Sequence, residues 1–405
     1  MTSQEAQQQE EVDREELARD CFMEAAAASA MAGVALKHGG PFGACVVRNG
    51  VIISCAHNTV LSDRDPTCHA EMNAIRDACK ALDTHDLSDC ELFTTCEPCP
   101  QCLGAIQWSR LKKTYTGVDR FTAAEFGFDD KVFYDEISAQ SGHWAVKLGQ
   151  TMPNVQPSML NVYFGVEMDR VSKLLVDLDL NKTYRRRVGH KELGFHDSGE
   201  RFGKDIIGIR AREGSDDDVS PPPSEDSSTA SAEENSPRDG VDNKEASKYF
   251  DILEDALREA VRNGENKERE VFASCVVKDG QVISVAVNQV LKRRDCTATS
   301  EVLAIRKATR KLKTHDLHGC QMYSTMEPCL MSLGAVLWSR IDSLYYGLSQ
   351  HAAARHGFEE GLLHYREVFS HPDTMKEVIN VEPGIASEAC SNVFKRWQKV
   401  NGIIY

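Results

Sequence analysis

The sequence predicts an α/β fold, a sheet covered on both faces by helices, and it predicts that fold twice in one chain. Three observations carry this reading. Shifting the 405-residue chain by 230 positions aligns 42–128 with 272–358 without a gap, and 41 of the 87 positions are identical, so the chain is a tandem duplication. Within each copy, helical spacing alternates with short β-rich runs, the pattern of a sheet between helical layers. No run of about 18 apolar residues occurs, which removes membrane spans.

Each copy repeats one order of elements. An Ala-rich helix comes first, over 15–36 and again over 244–262. A hairpin follows, with strands 44–48 and 51–54 around Asn49-Gly50, a pair that supplies the two positive-φ residues of a tight turn; the second copy uses Asp279-Gly280. A helix over 69–82 places Met72, Ile75, Ala78, Cys79 and Leu82 on one face. Then come a strand over 91–95, a helix beginning at Pro98, where proline suits the first helical position, and a strand over 113–118.

Lys and Arg total 47 against 62 Asp and Glu, a formal charge of −15. That balance argues against a broad polyanion-binding surface, so nucleic acid is not the expected partner. The acid is concentrated between Glu213 and Glu245, where 11 acidic residues meet two basic ones. With Pro221-Pro222-Pro223 and almost no large apolar residues, this stretch cannot offset its ordering entropy by burial, and 198–243 reads as a disordered acidic linker. The basic cluster 182–191 reads as an exposed face, a partner for that linker, or a phosphate contact. The first ten residues lack a basic start followed by an apolar stretch, so no secretory signal is expected. The expected location is the cytoplasm, with the nucleus as the alternative. The 14 cysteines then read as free thiols, metal ligands or core residues rather than bridges.

The chemistry-bearing residues lie in the first copy. His69, Cys99 and Cys102 provide one imidazole and two thiols, a soft donor set that suits tetrahedral zinc. Three protein ligands leave a fourth position for water, the mark of a catalytic site. Cys68 and Cys96 stand nearby as competing ligands of a structural site. Cys99 and Cys102 fall in the first turn of their helix, where unpaired N–H groups favour thiolates. Glu71, two positions after the histidine, is placed to move a proton from that water to a substrate nitrogen and the leaving amine. His-Ala-Glu, 30 positions from His69 to Cys99, then Pro-Cys-x-x-Cys together match the zinc deaminase signature. In the second copy Thr299 and Ser332 stand in place of His69 and Cys102, leaving Cys329 and Glu301 without a three-ligand set. The expectation is therefore one zinc per chain, a catalytic part over 15–197 and a degenerate part over 244–405.

These motifs resemble the cytidine deaminase superfamily, and the first copy is most similar to its guanine deaminases. The resemblance rests on Pro41-Phe42-Gly43-Ala44, Asn58, the run from Asp65 to Glu71, the run from Cys96 to Trp108, and Gly127-Phe128-Asp129-Asp130. It covers about 15–137 well and about 246–405 more loosely. It implies a three-layer α/β/α fold around a mixed five-stranded sheet, and hydrolytic release of ammonia from a nucleobase. By the same resemblance Asn58 binds an edge of the purine, Asp130 accepts from a ring N–H, and Phe42 walls or stacks on the base. In this family the terminus of one subunit closes over its neighbour's site. Here the second copy keeps such a tail, Gly402-Ile403-Ile404-Tyr405, so the degenerate copy is expected to act as a built-in partner that brings Tyr405 to the first copy's site.

The expected reaction is guanine to xanthine and ammonia, by attack at C2. The motif residues do not report whether a sugar fits, so guanosine remains an alternative substrate. A tRNA adenosine deaminase and a non-enzymatic interaction scaffold are the other readings; the chain alone or as a homo-oligomer would serve any of them.

Overall fold

The computed structural model describes residues 3–128, 145–148, 158–163, 243–262, 272–348 and 381–383, with single positions from 385 to 399. The first copy opens with α1 (Ser3–Leu36), whose inner face buries Met23, Ala26 and Ala30 against the sheet. The hairpin strands are β1 (Gly43–Arg48) and β2 (Val51–His57), joined by Asn49 at φ 51° and Gly50 at φ 75° as the turn chemistry requires. Next come α2 (Val60–Asp63), α3 (Ala70–Leu82), β3 (Cys90–Cys96), α4 (Pro100–Trp108), β4 (Lys113–Val118) and α5 (Arg120–Glu125). Helix α3 seats Met72, Ile75 and Ala78 with no exposure. Burying a side chain of the size of Met or Ile contributes about 1.5–3 kcal/mol.

One predicted boundary moves. Helix α4 starts at Pro100, with Cys99 as its N-cap in an extended conformation, so Pro98 precedes the helix. The rule that placed proline at the first position holds for Pro100, whose missing N–H costs nothing there. The short helices α2 and α5 were not expected from periodicity, because four to six residues are too few to show a face.

Between the copies lie β5 (Ala145–Leu148) and β6 (Ser158–Tyr163). The second copy then repeats the first: α6 (Asn243–Arg262), β7 (Ala273–Lys278), β8 (Gln281–Val287), α7 (Val290–Arg293), α8 (Ser300–Leu312), β9 (Cys320–Met326), α9 (Leu330–Trp338) and β10 (Ser343–Leu348), followed by β11 (Val381–Pro383).

Each copy supplies a mixed four-stranded sheet. In the first, β1 runs antiparallel to β2 and β3, and β3 runs parallel to β4; β7, β8, β9 and β10 repeat this. The α/β class expected from the sequence is thus present twice. The fifth strand arrives by exchange. Strand β11, from the far end of the chain, pairs parallel to β4 of the first copy, while β6, which follows the first copy, pairs parallel to β10 of the second and carries β5 with it. Each exchanged strand covers an edge that would otherwise present unpaired N–H and C=O groups.

One apolar cluster runs through both copies, with Ile75, Leu103 and Ile106 of the first packed with Ile305, Leu333 and Val336 of the second. At its centre α4 crosses α9 backbone to backbone. A Cβ at Gly104 would strike the main chain of Met331, and one at Gly334 would strike the main chain of Gln101, so only glycine permits this approach. Polar contacts flank the crossing: Arg76 Nε donates to Thr297 Oγ1 at 2.9 Å, and Arg306 Nε meets the buried Asp65 at 3.1 Å. The Asp65 carboxyl is desolvated, which would raise its pKa, but Arg76 and Arg306 outweigh that and hold it below the usual range.

The expectation that no cysteine is bridged fails at one place. Cys45 and Cys55 stand directly opposite in the β1–β2 register and are joined as a disulfide; the other twelve cysteines form no disulfide. Among the described residues no helix is long and apolar enough to cross a membrane. The acidic linker up to its last residue, the 182–191 cluster, Asp130 and Tyr405 lie outside the described residues.

Candidate metal and active site

Two helix N-termini meet at one point. His69 is the N-cap of α3 and Cys99 the N-cap of α4, both extended, while Cys102 lies three residues into α4 on the same face as Cys99. The caps carry no side-chain hydrogen bond to their own helices, which leaves their donor atoms to each other. His69 Nδ1 is 3.5 Å from Cys99 Sγ and 3.6 Å from Cys102 Sγ, and the three donor atoms all lie within 4.8 Å of one another. A tetrahedral ion with Zn–N near 2.0 Å and Zn–S near 2.3 Å requires a nitrogen–sulfur edge of about 3.5 Å, so the spacing fits zinc. Among the described residues this is the group of His, Cys or carboxylate side chains that can hold a metal ion.

The two thiols sit in opposite electrostatic situations. Burial opposes ionisation of Cys99, yet hydrogen bonding to Cys102 and the charge and hydrogen bond of His69 bring its thiol well below the ordinary value. Burial and the neighbouring Cys99 push Cys102 well above it. A dication held by this group would stabilise both as thiolates.

Glu71 sits on the first turn of α3, 5 % exposed. Thr94 Oγ1 donates to its Oε1 at 3.1 Å, and Cys102 Sγ lies 3.4 Å from its Oε2. Burial, then the Cys99 charge, raises its pKa. The rival ligands are not among the clustered donors, although Cys96 lines the same pocket. Cys68 lies 3.8 Å from Arg76 Nη1 and burial pushes its thiol to about 12; Cys96 Sγ contacts the carbonyl of Asp119.

Beside the metal group opens a pocket. Phe42, Asn58, His69, Glu71 and Cys99 line it, together with Phe128. Phe42 and Phe128 meet edge to face with centroids 4.9 Å apart, forming an aromatic wall. Asn58 does two things at once: it lines the pocket, and its Oδ1 accepts from Val60 N at 3.1 Å, shaping the turn into α2. Gly39 packs so closely on this amide that any side chain there would displace it.

Three further lining residues escaped the sequence reading. Glu97 and Arg120 form an ion pair on one wall. Trp338, at the end of α9 in the second copy, reaches over the first copy's pocket and stands edge-on to His69. Its identity with Trp108 in the repeat was the available signal, but nothing in the spacing says that one copy's tryptophan serves the other.

At the matching place in the second copy a hydroxyl network fills the space. Ser324 donates to Glu301 Oε1 at 2.8 Å, Ser332 to Oε2 at 2.9 Å, and Thr299 Oγ1 is 2.9 Å from Ser332 Oγ. Ser274 and Ser300, 2.9 Å apart, complete it where the first copy has Ala44 and Ala70. Cys329 is the one thiol left, 3.4 Å from Ser332 Oγ.

Comparison with known proteins agrees with this site. The family model for the cytidine and deoxycytidylate deaminase zinc-binding region matches residues 18–118 and again 246–348. The chain is 49 % identical over 118 residues to a guanine deaminase of Bacillus subtilis, covering 29 % of this chain and 76 % of that protein. It is 48 % identical over 81 residues to a tRNA-specific adenosine deaminase of Aquifex aeolicus, covering 20 % of this chain and 54 % of that protein, about half its length. Among solved structures, the guanine deaminase from Bacillus subtilis aligns at 39 % identity with a TM-score of 0.32, covering 39 % of this chain and 92 % of that one.

Proposed function

The chain belongs to the cytidine and deoxycytidylate deaminase zinc-binding family and is a zinc-dependent hydrolase acting on a nucleobase; from that premise we propose that its substrate is guanine, converted with water to xanthine and ammonia. The observation that carries the choice is the identity to a guanine deaminase across 76 % of that protein's length, taken with an aromatic-walled pocket beside the metal group.

In this reading His69, Cys99 and Cys102 hold the zinc, one per chain. When bound, zinc supplies Lewis-acid activation of water at neutral pH. Glu71 takes a first proton from the attacking water and delivers it to a ring nitrogen, then passes the remaining hydroxyl proton to the departing amine, so that C2 gains a carbonyl oxygen and loses ammonia. Thr94 holds the carboxylate in place for both transfers. Phe42 and Phe128, packed edge to face, form one wall against which the base lies, and Asn58 offers its amide NH₂ to a purine acceptor. Asp130 and Tyr405 remain assigned to the substrate, Asp130 as acceptor for a ring N–H and Tyr405 as part of a closing tail.

The second copy is proposed as an inactive structural partner. Trp338 and strand β11 support this, since both come from the far half of the chain to the first copy's pocket and sheet. The organisation into a catalytic part (15–197), an acidic linker (198–243) and a degenerate part (244–405) goes with the reading, as does a cytoplasmic setting. A second reading, deamination of adenosine in tRNA, is favoured by the identity to the Aquifex aeolicus protein.

Ammonia release against guanine, guanosine, adenine, cytidine and tRNA separates these, with Glu71→Ala as the control. Turnover of guanine above the others is the expected result. Turnover of tRNA alone overturns the choice.

A further inference from the structure

Arg120 stands at the first position of α5, directly after β4, and the local structure holds it firmly. Asp119 caps the helix by accepting from Thr122 N at 2.8 Å. Glu97, at the end of β3, takes both ends of the arginine: its Oε2 accepts from Arg120 N at 3.1 Å, and its Oε1 meets Arg120 Nη2 at 2.9 Å. Glu97 is itself tied across the sheet through its own N–H to Val118 O at 2.8 Å. The two side chains are 18 % and 19 % exposed, and the surface they keep faces the pocket that contains Glu71 and the metal group.

The repeat supplies an internal comparison. The second copy retains the glutamate, as Glu327, but carries Gln350 where Arg120 stands. If the pair served only to join the ends of two strands, both members would be equally useful in either copy. Instead the arginine is present in the copy that has His69 and Cys102, and absent from the copy that has Thr299 and Ser332. The arginine accompanies the chemistry; the glutamate does not.

A guanidinium presents five N–H donors in a planar fork and no acceptor, so it can hold Glu97 and a second acceptor group at once. Guanine offers two acceptors side by side, O6 and N7, and arginine against that edge is the commonest base-specific contact known from nucleic-acid recognition. Adenine and 2,6-diaminopurine place a donor amine at the same corner, which a donor-only wall rejects. We infer that Arg120, oriented by Glu97, is a specificity-determining residue that reads the O6/N7 edge of the purine. The inference rests on the guanine reading above and adds to it the group that distinguishes guanine from 6-amino purines.

The test uses guanine turnover with two competitive inhibitors, hypoxanthine, which carries O6, and unsubstituted purine, which lacks it. Arg120→Gln, the residue of the second copy, should weaken guanine kcat/KM and hypoxanthine inhibition roughly ten- to hundredfold, and leave purine inhibition within about twofold. Arg120→Lys keeps the ion pair with Glu97 but loses the fork, so it should show the same selective loss. It also carries the test if the glutamine variant fails to fold. Equal weakening of both inhibitors, full rescue by lysine, or a wild type that hypoxanthine inhibits no better than purine would each overturn the assignment. A wild type that does not turn over guanine at all refutes the substrate reading instead.

Discussion

The indole of Trp338 and the imidazole of His69 lie 269 residues apart in sequence and meet edge to face, with centroids 4.9 Å apart and planes at 70°. The metal ligand of one copy is thus packed by an aromatic residue of the other. Such a contact adds about 0.5–1.5 kcal/mol beyond area burial and closes one side of the substrate pocket. Trp338→Ala should lower kcat/KM about tenfold while zinc content stays near one per chain, and Trp338→Phe should recover most of the loss. Steady-state kinetics with metal analysis on the same preparation reads both; loss of zinc in the alanine variant would show that Trp338 supports the ligand rather than the pocket.

Glu71→Gln preserves shape and removes the proton carrier. Removal of a positioned acid–base group typically costs 10²- to 10⁴-fold, and that range is expected for guanine turnover here with zinc retained. Chelation of the wild type should abolish turnover reversibly, with recovery on adding zinc and none in the variant.

Gln101 is fully buried beside the α4–α9 crossing, and neither its carbonyl nor its NH₂ has a hydrogen-bond partner. The second copy puts Met331 at the equivalent position. An unmade buried hydrogen bond costs about 1–3 kcal/mol, and methionine fills nearly the same volume without polar atoms. Gln101→Met should therefore raise the melting temperature by several degrees, measured by calorimetry. An unchanged or lower midpoint would mean that the amide is satisfied in solution.

Glu301→Ala removes the acceptor around which Ser324 and Ser332 are arranged, leaving buried hydroxyls without it. A loss of about 1–3 kcal/mol in unfolding free energy is expected. Guanine turnover per zinc-loaded molecule should hold, since the proposal gives the second copy no chemistry; a collapse of turnover with normal folding would contradict that proposal.

His57 gives a pH dependence of known sign. Its Nε2 lies 2.9 Å from His38 Nδ1, its Nδ1 3.4 Å from Ser29 Oγ, and Gly33 packs beneath its ring. Burial, then the neighbouring His38, lowers its pKa from 6.5, with Asp63 opposing. The unfolded chain therefore binds more protons than the folded one just below pH 6.5. The stability is fully present above that value and falls as pH drops toward the depressed folded pKa. Chemical unfolding between pH 7.5 and 5 should show this fall, and His57→Gln should flatten it.

Much of the site was legible because its donors are local to two helix starts. A cap at His69, another at Cys99 and a third donor one turn later at Cys102 are spacings that secondary structure alone converts into proximity. The disulfide was not legible for an equally physical reason. A regular two-residue hairpin around Asn49-Gly50 would set Cys45 opposite Ser54; the register shifts between Val46 and Val47, and that one-residue irregularity brings Cys55 opposite Cys45 instead. Arg120 and Glu97 were passed over because an arginine after a strand and a glutamate before Pro98 carry no pattern until β3 and β4 lie side by side.

The sequence by itself determined the duplication, the α/β class, the zinc-ligand set with Glu71, and the absence of that set from the second copy. These depend on residue identity at short spacing, which backbone geometry converts into structure without help. Only the tertiary structure decided where residues of one copy meet the other. The crossing of α4 on α9 at Gly104 and Gly334 brings Trp338 to His69, and open edges beyond β4 and β10 draw strands from the opposite copy. Contacts between positions so far apart arise from burying two like surfaces against each other, and no local spacing in either surface records its partner.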